Sequence, residues 1–256
     1  MTFSRALVPA EPAGAAALTS NMVGIGMNFA ASCTGQPNIE DTLLFASVEG
    51  MEKQDLRVLS VLITWFGIHA PWVNADRLTR LVDLNSSHRI RALWSALALW
   101  QEKDRRFARL ARSYAGPRQD VTQTGTDFQI RRFGEDPRLH GSAVRVAANV
   151  LRDRPADVLL PADLARRHRA YRWRIVMGPS YRADMWAALE HDTTLSVAEL
   201  ARTTYGSFAT AWRVRRDFGL LAKLPSSAGA AKSRDVISEN QSKFTQGVRK
   251  KYKINA

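Results

Sequence analysis

Ser207, Thr210, Arg213 and Arg216 follow one another at intervals of three residues, hydroxyls first and guanidiniums after. On a helix this spacing keeps side chains on neighbouring positions of one side. Hydroxyls and planar guanidiniums are also the groups that hydrogen-bond phosphate oxygens and base edges. Phe208, Ala211, Val214 and Phe218 fall between them at the spacing of a buried face. Upstream, Leu195, Val197, Leu200 and Ala201 give a shorter helix an apolar side. Tyr205-Gly206 supplies a turn, and the Ser207 hydroxyl can cap the helix that follows. The stretch from Thr194 to Leu221 therefore predicts a helix-turn-helix, with Gly219-Leu220-Leu221 opening the first strand of a winged version.

Other guanidiniums cluster. Arg89 and Arg91 stand near the start of a helix expected from about Ser87 to Trp100. A short helix capped at Val73-Asn74 and a polar turn, Asn85-Ser86-Ser87, precede it, so the order repeats that of the C-terminal unit. Arg105, Arg106, Arg109 and Arg112 follow, where a wing or a phosphate-contacting extension would lie. From Arg166 to Arg182 there are Arg166, Arg167, Arg169, Arg172, Arg174 and Arg182, interleaved with His168, Tyr171 and Trp173 and free of acids. Backbone contacts plus packing on bases would use such a mixture. Core aromatics beside a solvated face would look the same. The chain has 256 residues and a net charge of +13. Residues 1–54 hold five acidic and two basic side chains, so the positive excess lies beyond them. A basic surface attracts phosphate backbones by counterion release. Ordinary Arg usage on a soluble surface is the alternative, since 29 of the 37 basic residues are Arg, but it leaves their clustering unaccounted for.

The pattern offers little for catalysis. Five histidines lie far apart, without the spacing of a metal site, and the single Cys33 has no local partner. There is no Gly-Lys-Ser/Thr phosphate loop, and the acids do not cluster as Mg²⁺-dependent nuclease centres require. No catalytic residue, metal ligand or cofactor is predicted, and the chain reads as a non-enzyme. One cysteine and no run of about 18 apolar residues point to a reducing, cytoplasmic setting without a membrane span.

The expected fold is mainly α, with two helical domains containing winged or plain helix-turn-helix units and small β content. Residues 1–37 read as a flexible segment, 38–115 as an N-terminal helical domain, and 116–127 as a linker. Residues 128–224 read as the C-terminal helical domain and 225–256 as a flexible basic tail. Within these, Asn38 opens a helix and Asp55 to Phe66 forms a buried one. Phe128, Ile130 and Phe133 suggest a strand, and Ser142 to Leu151 a helix. Pro161 starts a helix running toward Trp173, and Tyr181 to Leu189 forms another.

Residues 195–221 resemble the winged helix-turn-helix superfamily, as residues 55–112 do more weakly. More loosely, the chain resembles the antitoxin-regulators of AbiE-type operons, which bind their own promoter and accompany a nucleotidyltransferase toxin. In that family the winged unit is expected at the N-terminus, whereas here the better motif is C-terminal. The resemblance implies duplex DNA as ligand and a toxin as a second partner; a second copy of the chain is a further candidate. Two other functions fit the same residues: a protein-interaction module that neutralises a partner protein, and an RNA-binding protein using Arg166–Arg182.

Overall fold

The computed structural model describes Pro9, residues 11–33 and residues 35–221. The basic tail expected at 225–256 lies outside the described residues. The chain falls into two compact units, 1–212 and 213–256. Among the described residues it is mainly helical, with one two-stranded parallel ladder. No helix among them is long and apolar enough to cross a membrane.

The first unit opens with α1 (Ala15–Gly24), α2 (Ile39–Glu52) and α3 (Leu56–His69). Asn38 caps α2 by accepting the Asp41 amide, and Asp55 caps α3. From Val58 to Phe66 every residue of α3 is buried, and the hydroxyls of Ser60 and Thr64 in this stretch donate to the carbonyls of Leu56 and Ser60. Gly50 lets α2 approach it closely, since a Cβ there would lie 2.8 Å from the Leu59 Cβ. Next come α4 (Ala75–Leu84), capped by Asn74, α5 (His88–Trp100), capped by Ser87, and the single turn α6 (Ala108–Ala111). β1 (Gln119–Asp120) pairs in parallel with β2 (Val144–Arg145), and α7 (Thr126–Phe133) lies between them in sequence. Then follow α8 (Pro161–Arg167), α9 (Arg169–Met177), α10 (Tyr181–His191) and α11 (Val197–Thr203). α12 (Phe208–Leu221) begins in this unit and ends in the second.

Five expectations are corrected. Residues 11–33 are not a flexible leader, because Leu18, Met22, Ile25 and Met27 are core residues and Met27 bridges to Val158. Residues 116–127 are not a linker. Val121 is buried, Gln54 donates to its carbonyl at 3.1 Å, and one core cluster takes in residues from Leu18 to Tyr171. The strand expected at Phe128–Phe133 is helix α7, and the helix expected at Ser142–Leu151 is β2 with turns. Finally, Gly219-Leu220-Leu221 continues α12 instead of opening a wing.

Candidate nucleic-acid interface

The two helices expected between Thr194 and Leu221 are α11 and α12, joined by a turn at Thr204–Ser207. A reciprocal capping box between Ser196 and Glu199 starts α11. Its end is a Schellman turn. The Gly206 amide donates to the Ala201 carbonyl at 3.0 Å and the Tyr205 amide to that of Arg202 at 3.3 Å. This motif needs a left-handed residue just past the helix, and Tyr205 takes that conformation at φ 58°. The position normally goes to glycine, because a β-carbon there costs about 1–2 kcal/mol. The Tyr205 side chain offsets the cost. Its ring lies 3.5 Å from the Arg77 guanidinium, and its hydroxyl donates to Asp41 Oδ2 at 2.7 Å. Arg77, itself buried, donates to the other Asp41 oxygen at 2.6 Å. The turn is thus fastened to the starts of α2 and α4. Gly206 serves a different need: a Cβ would sit 2.1 Å from the methyl of buried Met185. Tyr205→Phe should lower stability by about 1–2 kcal/mol, since one part-buried charge-assisted hydrogen bond is lost. The urea midpoint at pH 7 measures this, and an unchanged midpoint would show that the hydroxyl contributes nothing.

Ser207 caps α12 as expected, accepting the Thr210 amide at 3.1 Å. The two hydroxyls also bond each other at 2.7 Å. Along α12 Ala211 and Val214 are buried, Arg213 is exposed, and Trp212 keeps 52 % of its surface in solvent. Phe208, expected on the inner face, is exposed. Arg216 is exposed and donates twice to Asp217, at 3.1 and 2.9 Å.

In the second helix-turn-helix candidate α5 is buried at Ile90 and from Ala92 to Ala98, which leaves His88 at its start and Leu99 near its end exposed. Arg89 and Arg91, both half-buried, spend guanidinium donors on the carbonyls of Val121 and Ser113, at 3.1 and 2.9 Å. Arg105 is exposed. Arg106 pairs with Asp104 and donates to the carbonyls of Val73 and Ala70, both at 3.2 Å. Arg109 stays 66 % exposed beside Asp83 at 2.7 Å.

The run from Arg166 to Arg182 lacks acids in sequence but meets them in space. Arg166 pairs with Asp163, and Arg172 grips both oxygens of Glu190 at 2.5 and 2.7 Å. Arg167 is exposed and Arg169 half-buried. Arg174 leaves the candidate set altogether. It is 1 % exposed and lies between Glu40 and Asp184, so no phosphate reaches it in the folded chain. Burial pushes the Asp184 carboxyl upward against the pull of Arg174. The aromatics of this run are structural too. Tyr171 is buried, and Trp173 packs on Trp186 while donating to Glu190 at 2.8 Å.

The pairings of Glu40 with Arg174 and of Asp41 with Arg77 had no signal in the sequence, where Glu40 and Asp41 read only as first-turn acids suited to the helix dipole. No family model, no curated protein and no solved structure matches this chain.

Proposed function

We propose that this protein binds double-stranded DNA sequence-specifically, as a transcriptional regulator, with α12 as the element that enters the major groove. The observation that carries this is the fastened turn of Thr204–Ser207. A strained Tyr205 is held by Asp41 and Arg77 so that a capped helix starts at a fixed place, with Arg213 and Trp212 facing solvent. Residues kept in costly backbone conformations concentrate where position matters for function. A net charge of +13 supplies the long-range attraction for a polyanion. Within this reading Arg213 reads a base edge, Thr210 and Arg216 contact base edges or flanking phosphates, and Ser207 with the amides at its helix start holds a phosphate. Arg105, Arg109, Arg166 and Arg167 contribute charge that is indifferent to sequence.

Selection of binding sites from random duplex DNA at several salt concentrations tests the reading. Arg213→Ala is expected to cost about 1–3 kcal/mol on the selected site and to relax preference at one base pair. Equal affinity of the two proteins for that site would remove Arg213 from the interface. The RNA alternative loses the argument it had, because Tyr171 and Trp173 are engaged internally. A protein-partner reading keeps one: Ile175 and Val176, adjacent on α9, are exposed apolar side chains.

A further inference from the structure

Helix α7 carries its aromatic side chains outward. Thr126 is its one buried residue, while Phe128 is 61 % and Phe133 45 % exposed. A surface helix normally turns such side chains toward the core. Both ends of α7 are tied down. At its start the Thr126 and Thr122 hydroxyls bond each other at 2.8 Å, and Asp127 pairs with Arg145. At its end the Gly134 amide donates to the Ile130 carbonyl at 2.8 Å, and the Gly134 carbonyl accepts the Ala148 amide at 3.0 Å.

The cations beside these rings are open to solvent. Arg131 and Arg132 are exposed, and neither meets a carboxylate among the described residues. Arg132 instead lies over the Phe133 ring, 5.1 Å from its centroid. The acids next to them in sequence are engaged, Asp127 with Arg145 and Glu135 with Arg118. In this Arg131 and Arg132 differ from Arg106, Arg166 and Arg172, each of which holds an acid.

The arrangement around the helix decides between ligands. At about 100° per residue, Arg132 falls between Phe128 and Phe133, and Arg131 lies on the far side of Phe128. The order around α7 is therefore cation, ring, cation, ring. A helix that lies in a membrane surface keeps its apolar side chains on one side and its cations on the other, and inserting these two rings would bury a guanidinium. A nucleic-acid strand alternates flat base faces with anionic phosphates. Unpaired bases leave those faces open to stack on aromatic rings, while guanidiniums hold the backbone. In a duplex the same faces are covered by neighbouring base pairs.

We infer that α7 binds single-stranded DNA, with Phe128 and Phe133 stacking on bases and Arg131 and Arg132 pairing with phosphates. The choice of DNA over RNA rests on the reading of α12; the site itself rests on α7 alone. Anisotropy of a short labelled oligothymidylate with the full chain tests it, beside oligouridylate, a duplex and phosphatidylserine vesicles. Phe128→Leu keeps apolar bulk and removes the ring, and should weaken oligothymidylate binding about tenfold. Arg131→Gln should lower the slope of log affinity against log salt by about 0.7, the share of one phosphate on a single strand. Both positions are exposed, so neither substitution disturbs the core. These two effects, with duplex affinity unchanged in Phe128→Leu, support the inference. Absence of oligothymidylate binding by the parent chain, or unchanged behaviour of both variants, overturns it. Tighter binding of oligouridylate than of oligothymidylate also overturns it, as does a Phe128→Leu loss seen only on vesicles, which assigns α7 to a lipid surface. Arg213→Ala keeps the two readings apart, because it should weaken the duplex and leave oligothymidylate untouched. If the duplex is unaffected, the reading of α12 fails by itself.

Discussion

Arg174→Met is expected to remove about 3–5 kcal/mol of folding stability, the usual cost of deleting one member of a buried ion cluster. All five guanidinium N–H groups are committed. Nε and Nη2 donate to Asp184 at 2.8 and 2.9 Å, and Nη1 and Nη2 to Glu40 at 2.6 and 2.9 Å. Nη1 also reaches the Trp72 carbonyl at 3.3 Å. Without the guanidinium, Glu40 and Asp184 remain buried with no cation between them. Part of the loss would be relieved by protonating Asp184, whose carboxyl burial already pushes upward. Arg174→Lys should recover little, since a compact ammonium has three donors and cannot bridge two carboxylates bidentately. By contrast, replacing all three side chains with apolar residues of similar volume should restore most of the stability, because the cluster's attraction does little more than offset its desolvation. Urea unfolding followed by tryptophan fluorescence gives these differences directly. A parent-like midpoint for Arg174→Met would mean that Arg174 is not embedded between the two carboxylates. The folded fraction of that variant should keep the parent's salt dependence on duplex DNA, since a buried residue makes no phosphate contact.

Arg174 also shows what the sequence does and does not reveal. Six arginines between 166 and 182 look alike in one dimension, and the missing acids among them suggest a cationic surface. Their partners come from elsewhere: Glu40 lies 134 residues away, Glu190 follows the run and Asp163 precedes it. Local spacing carries no trace of such pairings. Features set by local rules were readable. Asn38, Asn74 and Ser207 cap the helices they were expected to cap, Pro161 starts α8, and the apolar run after Asp55 is a buried helix. The misreadings occur where contrast is weak. α1 is rich in small residues with no clear polar side, so its core members Leu18 and Met22 did not stand out. Phe128 and Phe133 suggested a half-buried strand, yet both are exposed on α7. In the turn, the sequence marked Tyr205-Gly206 only as a pair. The left-handed residue is Tyr205, kept there by Asp41 and Arg77, which no local pattern announces.

Acidification should begin to destabilise this protein from pH 6.5 downward, before ordinary carboxylates titrate, because two buried histidines are built to stay neutral. His69 faces the Leu159 carbonyl through Nε2 at 3.0 Å, so Nε2 carries the proton and Nδ1 accepts the Tyr171 hydroxyl at 2.6 Å. His168 accepts the Tyr171 amide at Nδ1, at 3.2 Å, and its Nε2 donates to the Pro37 carbonyl at 3.0 Å. At His168 the bare nitrogen faces a backbone N–H, so a second proton has no acceptor there; at His69 it would require the Tyr171 hydroxyl to turn and accept. Burial lowers both from 6.5 to about 4. Between those values the unfolded chain takes up protons that the folded chain refuses, so stability falls as the pH drops from 6.5 toward 4 and is fully retained above 6.5. Each histidine contributes at most about 3 kcal/mol over that window, and about 6 kcal/mol together approaches the whole stability of an ordinary domain. Asp41 and Asp184, raised by burial, take up protons sooner when folded and work in the opposite sense. The double variant His69→Gln and His168→Asn isolates the histidines. The glutamine amide keeps a donor for the Leu159 carbonyl, the asparagine oxygen keeps an acceptor for the Tyr171 amide, and neither side chain titrates. The variant should be less stable at pH 7 and lose less stability on going to pH 4. Parallel stability curves for parent and variant across this range would show that the two rings are protonated in the folded protein, and that the hydrogen bonds to Tyr171 do not fix their charge.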